Sequence, residues 1–179
     1  MEKISCCLIT TLKEYPKIIM ERLTLGFFDE ILVHTECQNI YSRYLLAKQS
    51  KNSCVYFQDD DALLNYQQLF KHYNNGLTNA MPLNFKAKYD EMGCSLVGWG
   101  MFAPKSSIDV LDKYIAKYGE DAHLLREADR IYTYLNKKFN TIIMPHEDLP
   151  QGEDRMSSPK NVEFHFASAN EALRKCSLI

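Results

Sequence analysis

The sequence predicts an α/β fold of one domain, with a parallel βαβ half followed by a half of mixed strands. Three observations carry that expectation. Short, β-branched apolar runs alternate with helix-length segments through the first third of the 179 residues. The third apolar run passes straight into Asp59-Asp60-Asp61. After Gly76 the pattern changes to shorter, more polar pieces, and two amphipathic helices follow.

Each element has its own signal. Ile4 to Thr11 is an apolar run long enough for one buried strand. Pro16 suits the first turn of a helix to about Leu25, and Gly26 suits its C-terminal end. Glu30 to Thr35 reads as a second strand and Ile40 to Gln49 as a second helix. Cys54 to Gln58 is the third strand, and Ala62 to Tyr73 reads as another helix. Between Gly76 and Gly100, strand-like pieces fall at Leu77-Thr78, Asn84-Phe85-Lys86 and Cys94 to Val97. A helix opens at Pro104 and closes at Gly119. Asp121 to Phe139 carries an apolar stripe of Leu124, Leu125, Ala128, Ile131, Tyr132 and Leu135, as a long helix should. Thr141 to Met144 is a last strand, Pro145 to Lys160 a polar loop, and Ser168-Ala169-Asn170-Glu171 a capping box that opens a short final helix.

Composition excludes several classes. Hydrophobic residues make up 46% and charged residues 25%, which suffices for a core. The formal charge of −2 comes from 21 basic and 23 acidic residues without a basic run, so no nucleic-acid partner is expected. No stretch approaches the length of a membrane span, and the N-terminal apolar stretch is too short for a secretion signal. A cytoplasmic location is the expectation. Cys6, Cys7, Cys37, Cys54, Cys94 and Cys176 show no C-x-x-C spacing and read as buried, reduced thiols.

The aspartates carry the chemistry. Ligands of parallel sheets bind beyond the carboxyl ends of the strands, and the run lies at such an end. Pleat alternation would point Asp59 and Asp61 one way and Asp60 the other. Adjacent carboxylates repel, and a hard divalent cation such as Mg2+ or Mn2+ relieves that repulsion. The plainer alternative is an acidic turn that favours the next helix through its dipole. No glycine-rich phosphate loop follows the first strand. A metal-bridged nucleotide diphosphate is therefore favoured over a glycine cradle.

The strand–helix–strand–helix–strand–Asp-x-Asp order, with mixed strands after it, resembles the GT-A glycosyltransferases from Ile4 to about Pro145. The Tyr56-Phe57-Gln58-Asp59-Asp60-Asp61 run looks like the small GT-A enzymes of bacteria and large viruses. The resemblance implies a Rossmann-like nucleotide-binding half (residues 1–75), an acceptor half (76–145), and a loop with a terminal helix (146–179). It implies transfer of a sugar from a nucleotide-sugar donor, a UDP-sugar by family default, to a glycan or other hydroxyl acceptor, with inversion. Thr10 and Thr11 would touch the nucleoside, Thr35 and Glu36 the base edge, and Arg43 would face the site. Asp59 would hold ribose or a metal-bound water, Asp61 the metal itself, and Asp60 would line the donor site. Gly98-Trp99-Gly100 would line the sugar pocket, with Trp99 offering a flat face. Asp129 would be the general base, with Glu127 as fallback. A C-terminal histidine would complete the metal site. His146 and His165 both qualify, with His165 preferred, and Arg155 would touch phosphate from the polar loop. The chain is short for such an enzyme, so the acceptor is small, the acceptor half is trimmed, or further domains exist.

Two rivals remain. A nucleotidyltransferase shares the nucleotide half, but Leu12-Lys13-Glu14-Tyr15 is a poor match to its glycine-rich, basic signature. A non-catalytic binding module would use the aspartates as a capping turn and Trp99 as a partner contact.

Overall fold

The computed structural model describes residues 2–145, 147–148 and 162–179. In chain order the elements are β1 Ile4–Ile9, α1 Lys17–Leu23, β2 Glu30–His34, α2 Ser42–Lys48, β3 Cys54–Gln58, β4 Ala62–Leu63 and α3 Tyr66–Phe70. They continue with β5 Leu77–Met81, α4 Leu83–Met92, β6 Met101–Pro104, a 3-10 turn over Lys105–Asp109, and α5 Val110–Tyr118. The last are α6 Ala122–Asn136, β7 Phe139–Ile143, β8 Glu147–Asp148 and α7 Val162–Cys176.

Six strands form one sheet in the order β2-β1-β3-β6-β5-β7. β2, β1 and β3 run parallel, β6 runs antiparallel between β3 and β5, and β7 is parallel to β5. This is the expected parallel half joined to a mixed half. β1 and β3 are buried along their whole length, so they read as continuous apolar runs.

Alternate side chains feed two cores. Cys7, Val55, Phe57, Met101 and Ala103 face α2, α5, α6 and α7. Ile4, Cys6, Leu8, Cys54, Tyr56 and Phe102 face α1 and α3. A period of two thus places one strand's residues in both layers. All six cysteines are buried free thiols. No helix among the described residues is long and apolar enough to cross a membrane.

Several elements differ from expectation. Ala62 does not open a helix: Ala62–Leu63 pairs with β8, and α3 begins only at Tyr66, capped by the Asn65 carboxamide, which accepts from Gln68 N at 3.0 Å. Asn84-Phe85-Lys86 lies in α4, not in a strand, and α4 ends at Gly93, whose φ of 63° is the left-handed stop that glycine allows. Cys94 to Val97 forms no strand, and the strand of this region is β6. α6 stops at Asn136, so Phe139 opens β7. The Ser168 capping box is internal to α7, which starts at Val162.

Because β6 is antiparallel, its amino end lies at the edge where β1, β3 and β5 finish. Met101 pairs with Phe57, one residue short of the end of β3. The Gly98-Trp99-Gly100 turn is therefore delivered to the aspartates by the sheet itself. β8 pairs with β4, so the chain after β7 returns beside the residues that follow Asp61.

Candidate functional site

β3 ends at Gln58, and the aspartates form a turn, not a strand extension. The three side chains therefore do not follow pleat alternation. Gln58 fixes where the turn starts. Its Oε1 accepts from Tyr56 OH at 2.8 Å, and its Nε2 donates to the Ala62 carbonyl at 2.8 Å across the three aspartates. Tyr15 OH donates to the Gln58 carbonyl at 3.3 Å. These bonds give both polar atoms of a buried amide a partner and tie the two ends of the turn together.

The three carboxylates go to different places. Asp59 accepts from Arg43 Nη2. Asp60 does not turn away from the strand end, because its carboxylate accepts from Thr10 Oγ1 at the end of β1. Asp61 is half-buried beside β4. Asp59 also donates its N–H to the Gly98 carbonyl at 2.6 Å, which ties the aspartate turn to the glycine turn. A Cβ at residue 98 would lie 1.8 Å from Asp59 Oδ2, so only glycine leaves that carboxylate its place.

Arg43 is the centre of the arrangement. It is 2% exposed, from a half-turn inside α2. Its Nη1 donates to Asp129 Oδ2 at 2.9 Å, while Nη2 holds Asp59. Tyr44, the next residue, donates its hydroxyl to Asp129 Oδ1 at 2.8 Å. The helix, the strand-end turn and α6 thus meet on one guanidinium. One positive charge faces two carboxylates, and a buried charge of this kind persists only when paired.

The electrostatics follow. Burial pushes the Asp129 carboxyl up to about 6, Arg43 opposes this, and the Asp59 charge adds to it. Burial alone would pull the Arg43 guanidinium down, but Asp129 and Asp59 reverse that and hold it firmly charged. Burial raises the Asp60 carboxyl, with the Thr10 hydrogen bond opposing.

The structure thus brings together Thr10, Arg43, Asp59, Asp60, Gly98 and Asp129 by direct contact. Thr11, Thr35 and Glu36 ride on the same edge. Thr10 N donates to the His34 carbonyl at 3.0 Å and Glu36 N to the Leu12 carbonyl at 2.9 Å. Glu36 holds a φ of 53°, an uncommon value for a residue other than glycine. Trp99 is half-buried, with the Phe85 ring edge-on at 5.1 Å. Gly100 has a φ of 113° and abuts Leu64 and Tyr56. Glu127, the fallback base, is buried against Arg130, which donates to it, and so is not placed to take a substrate proton. His146, Arg155 and the His165 side chain lie outside the described residues; His165 itself falls within α7.

No group of three metal-ligating side chains is assembled among the described residues. The donor set still suits a hard cation in kind. Among the described residues it offers oxygen only, and a magnesium-type site needs one or two carboxylates while phosphates and waters supply the rest. Asp61 and Asp59 are the residues that would hold such an ion.

No family model matches the chain, and no curated protein matches it. Solved structures do match it. Glucosyl-3-phosphoglycerate synthase from Mycobacterium tuberculosis, in complex with Mn2+, UDP-glucose and glycerol 3-phosphate, aligns with a TM-score of 0.52 at 12% identity, covering 98% of this chain and 80% of that one. The complex of that enzyme with Mn2+, UDP-glucose and phosphoglyceric acid gives the same values. Its complex with phosphoglyceric acid alone gives 0.50 at 13% identity. Likeness at this identity shows the fold, and the chain has a GT-A-like fold.

Tyr44 is the site residue that sequence reasoning missed. It is buried with Tyr41 and Ala47 in the core under α2, where an aromatic residue reads as packing. A long-range carboxylate partner leaves no local trace in the sequence.

Proposed function

We propose that the chain is a metal-dependent glycosyltransferase that moves a sugar from a nucleotide-diphosphate sugar to an acceptor hydroxyl, with inversion. The observation that carries this reading is the Arg43 guanidinium joining Asp59, at the end of β3, to Asp129 on α6. A donor-side carboxylate and a candidate base then stand at opposite ends of one buried cation, at the sheet edge where α/β folds bind ligands. The similar solved structures hold Mn2+ and UDP-glucose together with glycerol 3-phosphate or phosphoglyceric acid. That supports a UDP-sugar as donor and a small hydroxyl compound as acceptor for this chain.

In this reading Thr10, Thr11, Thr35 and Glu36 contact the nucleoside, and Asp60 supports that side through Thr10. Asp59 meets ribose or a metal-bound water, and Asp61 ligates Mn2+ or Mg2+, with His165 and Arg155 as further contacts to metal and phosphate. A divalent ion bound there would neutralise charge on the departing diphosphate. Gly98, Trp99 and Gly100 line the sugar pocket. Asp129 takes the proton of the acceptor hydroxyl as that oxygen attacks the anomeric carbon, and Arg43 holds the carboxylate ionised.

The test is a panel of UDP- and GDP-sugars with Mn2+, read by release of the nucleoside diphosphate. Asp129→Asn should keep donor binding and lose roughly 100-fold or more in rate, the usual worth of a general base. Full activity in Asp129→Asn would remove the base assignment.

A further inference from the structure

We propose that Tyr44, acting with Arg43, is a positioning residue that fixes the Asp129 carboxylate for proton abstraction. The proposal rests on the reading of Asp129 as the base and names what orients it.

Arg43 and Tyr44 are consecutive on α2, so their side chains leave the helix about 100° apart. They reach the same carboxylate from different directions and take different oxygens. Arg43 Nη1 donates to Oδ2 at 2.9 Å, and the Tyr44 hydroxyl donates to Oδ1 at 2.8 Å. Two bonds to two oxygens fix the carboxylate plane, where a single bond would leave rotation about χ2. A carboxylate has about four acceptor positions, so a lone pair remains on each oxygen for a substrate hydroxyl.

The two partners play unlike parts. Arg43 carries charge, but it shares that charge with Asp59. Burial raises the Asp129 carboxyl, and Arg43 opposes that while the Asp59 charge beside it adds to the rise. Tyr44 adds orientation without adding charge. Its ring is fully buried, 4.8 Å from Tyr132 and 5.5 Å from Phe57, and these rings set where the hydroxyl stands. The one hydrogen bond that this hydroxyl makes among the described residues goes to Asp129. Packing explains the ring. It does not explain the oxygen, since phenylalanine would fill the same space without a polar group to satisfy.

The groups that face Asp129 among the described residues are Arg43 and Tyr44 from α2 and Asp59 from the turn after β3. Tyr89 from α4 adds to these, with Arg130 and Tyr132 from α6 itself. Of these, Tyr44 can lose its bond to Asp129 by deletion of one atom. Tyr44→Phe therefore isolates the effect.

The Asp129 carboxyl carbon is followed by 13C NMR through a pH titration, its resonance assigned by its loss in Asp129→Asn. Tyr44→Phe should raise the titration midpoint above that of the wild type, because a hydrogen bond to the ionised form has gone. In parallel, release of UDP from UDP-glucose with Mn2+ should show kcat lowered roughly tenfold and the acid limb of its profile moved upward, with KM for UDP-glucose unchanged. A purely structural tyrosine would lower the unfolding temperature and leave midpoint and acid limb in place, and that result overturns the proposal. The titration needs no turnover. If Asp129→Asn releases UDP at the wild-type rate, the base reading falls while the midpoint still decides whether Tyr44 governs Asp129.

Discussion

A methyl group at residue 98 would stand 1.8 Å from Asp59 Oδ2 and 2.2 Å from its Cγ. Gly98→Ala must therefore push the Asp59 carboxylate off Arg43. The expected cost is about 1–3 kcal/mol of stability by denaturant unfolding, with loss of nucleotide-sugar binding. Asp129 makes a second prediction at this scale. Its carboxyl is raised in the fold to about 6 from an ordinary value of 3.8. The folded chain thus holds that proton more tightly than the unfolded chain, and the group loses stability as pH rises from about 4 to about 6. Subtracting the Tm of wild type from that of Asp129→Asn should give a difference that grows with pH across this window and then levels off. A flat difference would show that Asp129 is an ordinary carboxylate. The chemistry-bearing residues at this scale were legible by type: aspartates at a strand end and an acid at the edge of a helix stripe. Thr10 meeting Asp60 was not, because pleat alternation presumes a strand that runs on through the aspartates, whereas β3 stops at Gln58.

At the scale of elements, α6 ends where its backbone turns left-handed at Lys137, with a φ of 61°. Lysine resists that conformation, and glycine accepts it. Lys137→Gly should stabilise the protein by about 0.5–1 kcal/mol in urea unfolding, with activity unchanged, since the residue is exposed and remote from Asp129. The strands of the parallel half could be read from the sequence because two of them are buried throughout and leave continuous apolar runs, and α6 because its one buried face leaves a stripe. α4 could not, because it buries no residue fully and carries no stripe. β4 and β8 are two residues each and exist only through their mutual pairing, which no local pattern announces. The Ser168 capping box misleads for a related reason. Its motif describes a helix start, but the Ala172 and Cys176 face that packs on the core belongs to a helix already under way from Val162.

Over the whole molecule, the sheet order explains why residues distant in sequence converge. Asp59 and Asp129 are 70 positions apart in number. The antiparallel insertion of β6 brings the 98–100 turn to the carboxyl edge of β3, and α6 then lays Asp129 across Arg43. The parallel-then-mixed plan was readable from the alternation of runs. The strand order was not, since it depends on non-local pairing. The central claim is that this edge binds a metal-bridged nucleotide sugar, and thermal unfolding with UDP-glucose tests it most directly. The account predicts that UDP-glucose raises the Tm of the wild type only when Mn2+ is present, and that Asp61→Ala abolishes the rise while its own unliganded Tm stays near that of the wild type. An equal rise in Asp61→Ala, or no rise in the wild type with any UDP- or GDP-sugar in Mn2+, would contradict it.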